Sequence, residues 1–273
     1  PQAAELALAL AAVMAIFVQS SASAPPLHVT TKQGVVECRN DLAEGVVAQC
    51  LSIPYAQPPV GDLRWRPPQP PLLYPNGTWS ALLARPICIQ GKQGTIPSTA
   101  SEDCLYLSVW FPSAPPPSSG YPVLAWIHGG GYTTGRGPNG TNFVARATDV
   151  VFVSIEYRLN VYGFLGSHAL RGRASDGSTG NYGLQDQRAA LQWIRDNIAA
   201  FGGNPAKVTI DGCSAGAGST TLHMVNRRSW PLFDQAAAES GAMSSWNVNT
   251  LEMAEAYYGT LAEQTQCVNV NCL

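Results

Sequence analysis

Lys207-Val-Thr-Ile-Asp-Gly-Cys-Ser-Ala-Gly216 decides the fold. Lys207 to Asp211 reads as a short strand, Ala215 to Arg227 as a helix, and the turn between them carries a serine flanked by two glycines. A serine on a sharp strand-to-helix turn is lifted above the sheet edge. Gly212 and Gly216 remove the Cβ atoms that would obstruct so tight a backbone. Upstream, a helix from Leu184 to Ala200 places Leu184, Leu191, Ile194 and Ile198 at helical spacing and stops at Gly202-Gly203-Asn-Pro205. Val123 to His128 and Val150 to Tyr157 are continuous apolar runs, as expected of central strands covered on both faces, and Asp234 to Glu239 reads as one more strand. Strands and helices alternating at these lengths predict an α/β domain with a largely parallel sheet.

The N-terminal part reads differently. Short runs at His28 to Thr31, Val35 to Cys38 and Val46 to Leu51 predict β-hairpins, and Leu105 to Phe111 predicts a strand ended by Pro112. Between them Pro54 to Pro75 is an extended, proline-rich meander with Trp65 and Tyr74 to fasten it. The first residues are apolar from Leu6 to Val18 and end in Ala22-Ser-Ala24. Thirteen apolar residues suit the core of a secretory signal better than a bilayer span, which needs roughly 20, so residues 1–24 are expected to be a signal peptide whose start is missing. A buried core helix is the alternative.

Composition limits the function. The 273 residues are 45% hydrophobic and 12% charged with a net charge of -2, which supports neither a nucleic-acid partner nor a polybasic membrane contact. Seven cysteines in a chain with a signal segment suggest three bridges and one leftover thiol in a secreted protein. Asn76-Gly-Thr78 and Asn139-Gly-Thr141 are glycosylation sequons in turn-like sequence. No His/Cys cluster has ligand spacing, so neither a metal nor an organic cofactor is expected.

A second motif gives the serine its chemistry. His128-Gly-Gly-Gly131 follows an apolar strand, and its glycines let main chain approach a substrate. In acyl transfer the carbonyl oxygen becomes an anion, and preorganised backbone N–H groups stabilise it by roughly 3 kcal/mol per donor. Gly130, Gly131 and Ala215 would supply these donors, with Ser214 as nucleophile. A nucleophilic Cys213 is the sharper alternative, but its side chain should point away from the oxyanion site.

These residues resemble the type-B carboxylesterases and lipases, which include the cholinesterases. Phe201 to Gly216 looks like that family's serine signature and Glu102-Asp-Cys-Leu-Tyr-Leu-Ser-Val-Trp110 like its second one; Tyr157-Arg-Leu-Asn160, Tyr162-Gly-Phe-Leu-Gly166 and Gly180 to Arg188 match further stretches. The likeness runs from about residue 28 to 273. It implies an α/β-hydrolase fold, with a mostly parallel central sheet and N-terminal β-hairpins, and hydrolysis of a small-molecule or lipid ester. It also implies Cys88–Cys104 and Cys267–Cys272 bridges, with Cys38 and Cys50 a candidate pair between the first hairpins. Arg158 with Asp186, and Arg64 with Glu102, would be buried ion pairs. Where the family usually has Glu in its GESAG run this chain has Cys213, which puts choline-like cation preference in doubt and leaves that cysteine unpaired.

The serine needs a base. Among the residues after Ser214 the one histidine is His223, nine positions on in the same helix, roughly 13 Å along the axis at 1.5 Å per residue. His128 is expected to order the glycine loop, and His28 and His168 lie where the family has no base. Asp211 is a strand residue near 10 Å away and Glu239 a structural one, so neither fits the acid. The expectation is an N-terminal fragment, its C-terminal part missing with the acid and histidine, having at most the weak activity an oxyanion site and binding provide. Its last strand would be an unpaired edge. A non-catalytic adhesion protein on the same fold, as in the neuroligin-like branch, and an amidase or peptidase are the rival readings.

Overall fold

The computed structural model describes residues 26–91, 95–244, 248–270 and 272–273. The expected signal peptide, 1–24, lies outside them.

Among the described residues nine strands form one mixed sheet. The N-terminal half is antiparallel: β1 (Leu27–Thr31), β2 (Gly34–Leu42), β3 (Val47–Pro54) and β7 (Tyr106–Pro112) follow one another, with β4 (Thr78–Ser80) beside β2. β5 (Ile87–Cys88) and β6 (Ala100–Ser101) form a separate ribbon. The C-terminal half is parallel, in the order β9 (Val151–Ile155), β8 (Tyr121–Ile127), β10 (Gly203–Cys213) and β11 (Gln235–Glu239). Antiparallel pairing of β7 with β9 joins the halves. Hairpins need only short turns, whereas parallel neighbours need a crossover, so the sheet changes character where the chain begins to alternate with helices.

Alternation along the strands builds three layers. Val123, Ala125 and Ile127 of β8 and Val151, Val153 and Ile155 of β9 share a core with Ala190, Leu191 and Ile194 of α4 (Tyr182–Asn197), the helix expected from Leu184. Trp110 and Phe152 face the other way and pack on Val144 of α1 (Thr141–Ala147). Each fully buried aliphatic side chain contributes about 1.5–3 kcal/mol. Between β9 and α4 lie the short helices α2 (Asn160–Phe164) and α3 (His168–Arg171); α5 (Ala215–Val225) follows β10, and α6 (Leu251–Thr265) comes last. The sequence reading passed over α6, although Thr250 caps it by accepting from the Met253 N–H. No helix among the described residues is long and apolar enough to cross a membrane.

The proline-rich meander is extended apart from one 3-10 turn at Gly61–Leu63 and another at Pro75–Gly77, and Trp65 and Tyr74 are both buried. Cys38–Cys50, Cys88–Cys104 and Cys267–Cys272 are disulfides and Cys213 is free. Arg64 grips Glu102 through Nε and Nη2, and its Nη1 donates to the Leu273 carbonyl. Among the described residues β11 pairs only with β10, and all five of its residues are exposed.

His223 does structural work. Its ring bridges Ser229 Oγ at 2.8 Å and Gln187 Oε1 at 3.0 Å, and Gln187 Nε2 donates to Ser219. Burial, aided by Arg188, lowers the His223 pKa to about 4. The folded pKa lies below the ordinary 6.5, so this neutral ring's contribution is present above pH 6.5 and lost as pH falls toward 4. Wild type is expected to lose about 3 kcal/mol more stability than His223→Gln between pH 7 and pH 4, measured by urea unfolding. Equal losses would remove the explanation.

Candidate active site

The strand order creates the site before any side chain is considered. From β8 the chain passes through α1 to β9 on one side, then crosses back through α2, α3 and α4 to β10 on the other. Connections leaving a strand in opposite directions open a crevice at the carboxyl ends of the sheet. The register aligns Ile155, Ile127, Gly212 and Ala238 across that rim. His128, Glu156 and Glu239 follow at once, and Ser214 comes one residue after Cys213.

Ser214 has φ 57° and ψ -117°. That left-handed backbone costs a serine on the order of 1–3 kcal/mol and persists only where the surroundings enforce it. Here the Ser214 N–H donates to the Glu239 carbonyl at 2.8 Å, and the Ser214 carbonyl accepts from the Gly218 N–H at 2.9 Å. The bend is packed tight against β8: a Cβ at Gly216 would lie 2.0 Å from the Ile127 carbonyl oxygen. Ser214 is exposed, and its hydroxyl makes no hydrogen bond among the described residues.

The glycine loop lies directly on this bend. A Cβ at Gly129 would meet the Cys213 carbonyl oxygen at 2.4 Å and Ser214 Cβ at 3.2 Å. Gly130, Gly131 and Tyr132 have φ of 115°, 62° and 59°, and the Gly130 carbonyl accepts from the N–H groups of Thr133 and Thr134. Neither the Gly130 nor the Gly131 N–H donates to any described group. Ala215 opens α5, where the first N–H groups have no partner within the helix and the helix dipole favours negative charge. The strained serine and three free amides therefore meet at one rim. Beside Gly131 opens a cleft of about 920 Å³ whose apolar walls include Tyr132, Phe164, Leu222, Leu251 and Leu261.

Among the described residues no histidine or acid is hydrogen-bonded to the serine hydroxyl. His28 is on β1, the opposite edge of the sheet; His168 is exposed beside Glu255; His223 is held in its buried network. Asp211 Oδ1 accepts from the Gly212 N–H at 2.7 Å, and Glu239 serves through its main-chain carbonyl. His128 is buried under the loop, with its ring stacked on Tyr157, whose hydroxyl donates to the His128 carbonyl at 2.7 Å. Tyr157 and Glu156 are the loop supports that sequence reading missed. The strand was expected to run on to Tyr157, yet it ends at Ile155.

Residues 25–273 match the Carboxylesterase family. The chain belongs to that family. It is 41% identical over 258 residues to the cholinesterase of Mus musculus, covering 89% of this chain and 42% of that protein. With the fumonisin B1 esterase of Sphingopyxis macrogoltabida it shares 40% identity over 235 residues, 84% of this chain and 42% of the relative. Among solved structures, a Geobacillus stearothermophilus carboxylesterase superposes with a TM-score of 0.76 at 37% identity, over 88% of this chain and 48% of the other. This member of the carboxylesterase family thus spans less than half the length of these relatives, and carries their α/β-hydrolase sheet with the rim that holds Ser214.

Proposed function

We propose that this chain belongs to a serine ester hydrolase in which Ser214 Oγ attacks the ester carbonyl. The Gly130, Gly131 and Ala215 N–H groups receive the developing oxyanion, the alcohol leaves, and water releases the acyl group from Ser214. The observation that carries this reading is the strained, exposed Ser214 packed against a loop and helix terminus whose amides have no other partner. A binding protein gains nothing from paying for such a bend. The apolar cleft beside Gly131 suits the hydrocarbon part of an ester. The acid and histidine are proposed to come from outside the described residues, none of which places either group on the Ser214 hydroxyl.

Covalent labelling tests the assignment. A fluorophosphonate should modify Ser214 in the longer protein, with the adduct located by peptide mass spectrometry. Labelling at Cys213, or nowhere, would overturn it.

The chain is further proposed to be exported, with residues 1–24 removed and glycans on Asn76 and Asn139. Three disulfides support an oxidising compartment, and both asparagines are exposed in turns. Material secreted from a eukaryotic host should lose mass on endoglycosidase treatment, and an Asn76→Gln, Asn139→Gln double variant should not.

A further inference from the structure

Parallel register sets Ile127 opposite Ile155, so the next residues, His128 and Glu156, turn to the same side of the rim beneath the glycine loop. His128 Nδ1 lies 2.8 Å from the Gly129 carbonyl oxygen. A carbonyl only accepts, so Nδ1 carries the proton, and in the neutral ring Nε2 is a bare acceptor. That atom is buried with no partner. Glu156 shows the complementary arrangement: Oε1 accepts from the Gly137 N–H at 2.8 Å, while Oε2 is buried and unpartnered, 3.8 Å from His128 Nε2. Two acceptors facing each other out of water would repel. One proton between them removes the repulsion, and an approach of roughly 1 Å from this 3.8 Å separation brings the pair into hydrogen-bond range.

We propose that a single proton, carried on Glu156 Oε2 and donated to His128 Nε2, ties the Gly129–Gly131 turn to the end of β9, making Glu156 a positioning residue for the oxyanion loop. The functional meaning rests on the ester-hydrolase reading, but the hydrogen bond and its test do not. The loop is clamped from three sides: Nδ1 holds the Gly129 carbonyl, Tyr157 Oη holds the His128 carbonyl, and Glu156 holds Gly137. The other ionisable groups around the pair are Arg136, on the loop itself, Tyr157, stacked on His128 with Tyr132 beside it, and Tyr55, whose hydroxyl donates to the Glu156 carbonyl. Desolvation raises the Glu156 carboxyl to about 7, against the pull of the Gly137 N–H and Arg136, and lowers His128 to about 4. A neutral acid beside a neutral imidazole follows between about pH 4 and pH 7. Stability linked to Glu156 falls as pH rises from 4.5 to 7 and that linked to His128 rises from 4 to 6.5, so the two nearly cancel.

The Glu156→Gln variant separates a proton donor from an anion, because a glutamine amide can donate to Nε2 while its oxygen keeps the Gly137 bond. Two measurements on the protein, wild type against variant, decide the matter. Infrared difference spectra between wild type and Glu156→Gln at pH 6 should contain a protonated-carboxyl stretch. In hydrogen exchange, corrected for intrinsic rates, the Thr133 and Thr134 amides of wild type should lose about tenfold in protection between pH 6 and pH 9, whereas Glu156→Gln holds its protection throughout. Glu156→Ala should lack it at both pH values. Absence of the carboxyl band, or a Gln variant whose loop is already open at pH 6, would overturn the proposal; should the Ala variant fail to fold, the comparison of wild type with Gln still decides.

Discussion

Replacing Ser214 by alanine is expected to lower kcat for a short-chain ester about 10⁵-fold in a protein that carries the acid and histidine, with KM little changed. At 1.36 kcal/mol per decade that is about 7 kcal/mol of transition-state stabilisation, too large for binding or for a general weakening of the fold. In the 273-residue chain the same substitution should matter far less, within about tenfold, because the members of a nucleophile–base unit act together and losing the second costs little once the first is gone. The amides of Gly130, Gly131 and Ala215 remain in both variants and should sustain the residual rate. Steady-state kinetics on the two lengths of chain, each with and without the Ser214→Ala substitution, test this directly. Equal losses in both would mean that the base lies within residues 1–273, and the search would turn to His128.

The serine and the glycine loop were legible because their chemistry is written in consecutive residues. Gly212-Cys-Ser-Ala-Gly216 and His128-Gly-Gly-Gly131 need no long-range information beyond a strand before each. What their partners do was less so. The run Val151-Phe-Val-Ser-Ile-Glu-Tyr157 looks like uninterrupted strand, and only the pairing of β9 with β8 reveals that it ends at Ile155 and hands Glu156 and Tyr157 to the loop. Neighbours across a parallel sheet are separated by a whole crossover, and no local pattern records their register. The mixed sheet is a milder case. Alternation of strands and helices pointed to parallel pairing and the hairpin signals to antiparallel pairing, but where the two meet, at β7 and β9, is a tertiary fact. Helix α6 is a different case: Leu251, Ala254, Tyr258 and Leu261 recur at helical spacing, but the stripe is only half-buried, with Tyr258 and Leu261 packed on the Trp65, Leu165, Leu170 and Tyr182 cluster, and its Ala- and Glu-rich composition makes it faint.

Asp186→Ala is expected to cost about 3–5 kcal/mol of stability. Asp186 is fully buried and Arg158 is 3% exposed. The carboxylate accepts from the Arg158 main-chain N–H at 3.1 Å, from Nε at 2.7 Å and from Nη2 at 2.7 Å. Arg158 Nη2 also donates to the Arg66 carbonyl, which ties the proline-rich meander to this pair, and the guanidinium sits over the Tyr182 ring. Taking two charges out of water is expensive, so the pair itself adds little net stability; what is costly is leaving one of them alone. The double variant Asp186→Ala, Arg158→Met should therefore recover most of the loss, even though it removes more interactions than the single one. Arg158 directly follows Tyr157, whose hydroxyl holds the His128 carbonyl, so the single variant should also loosen the Thr133 and Thr134 amides in hydrogen exchange. Urea unfolding of the two variants is the measurement. A cost under about 1 kcal/mol for Asp186→Ala, or a double variant no more stable than the single, would show that the pair is not desolvated as described.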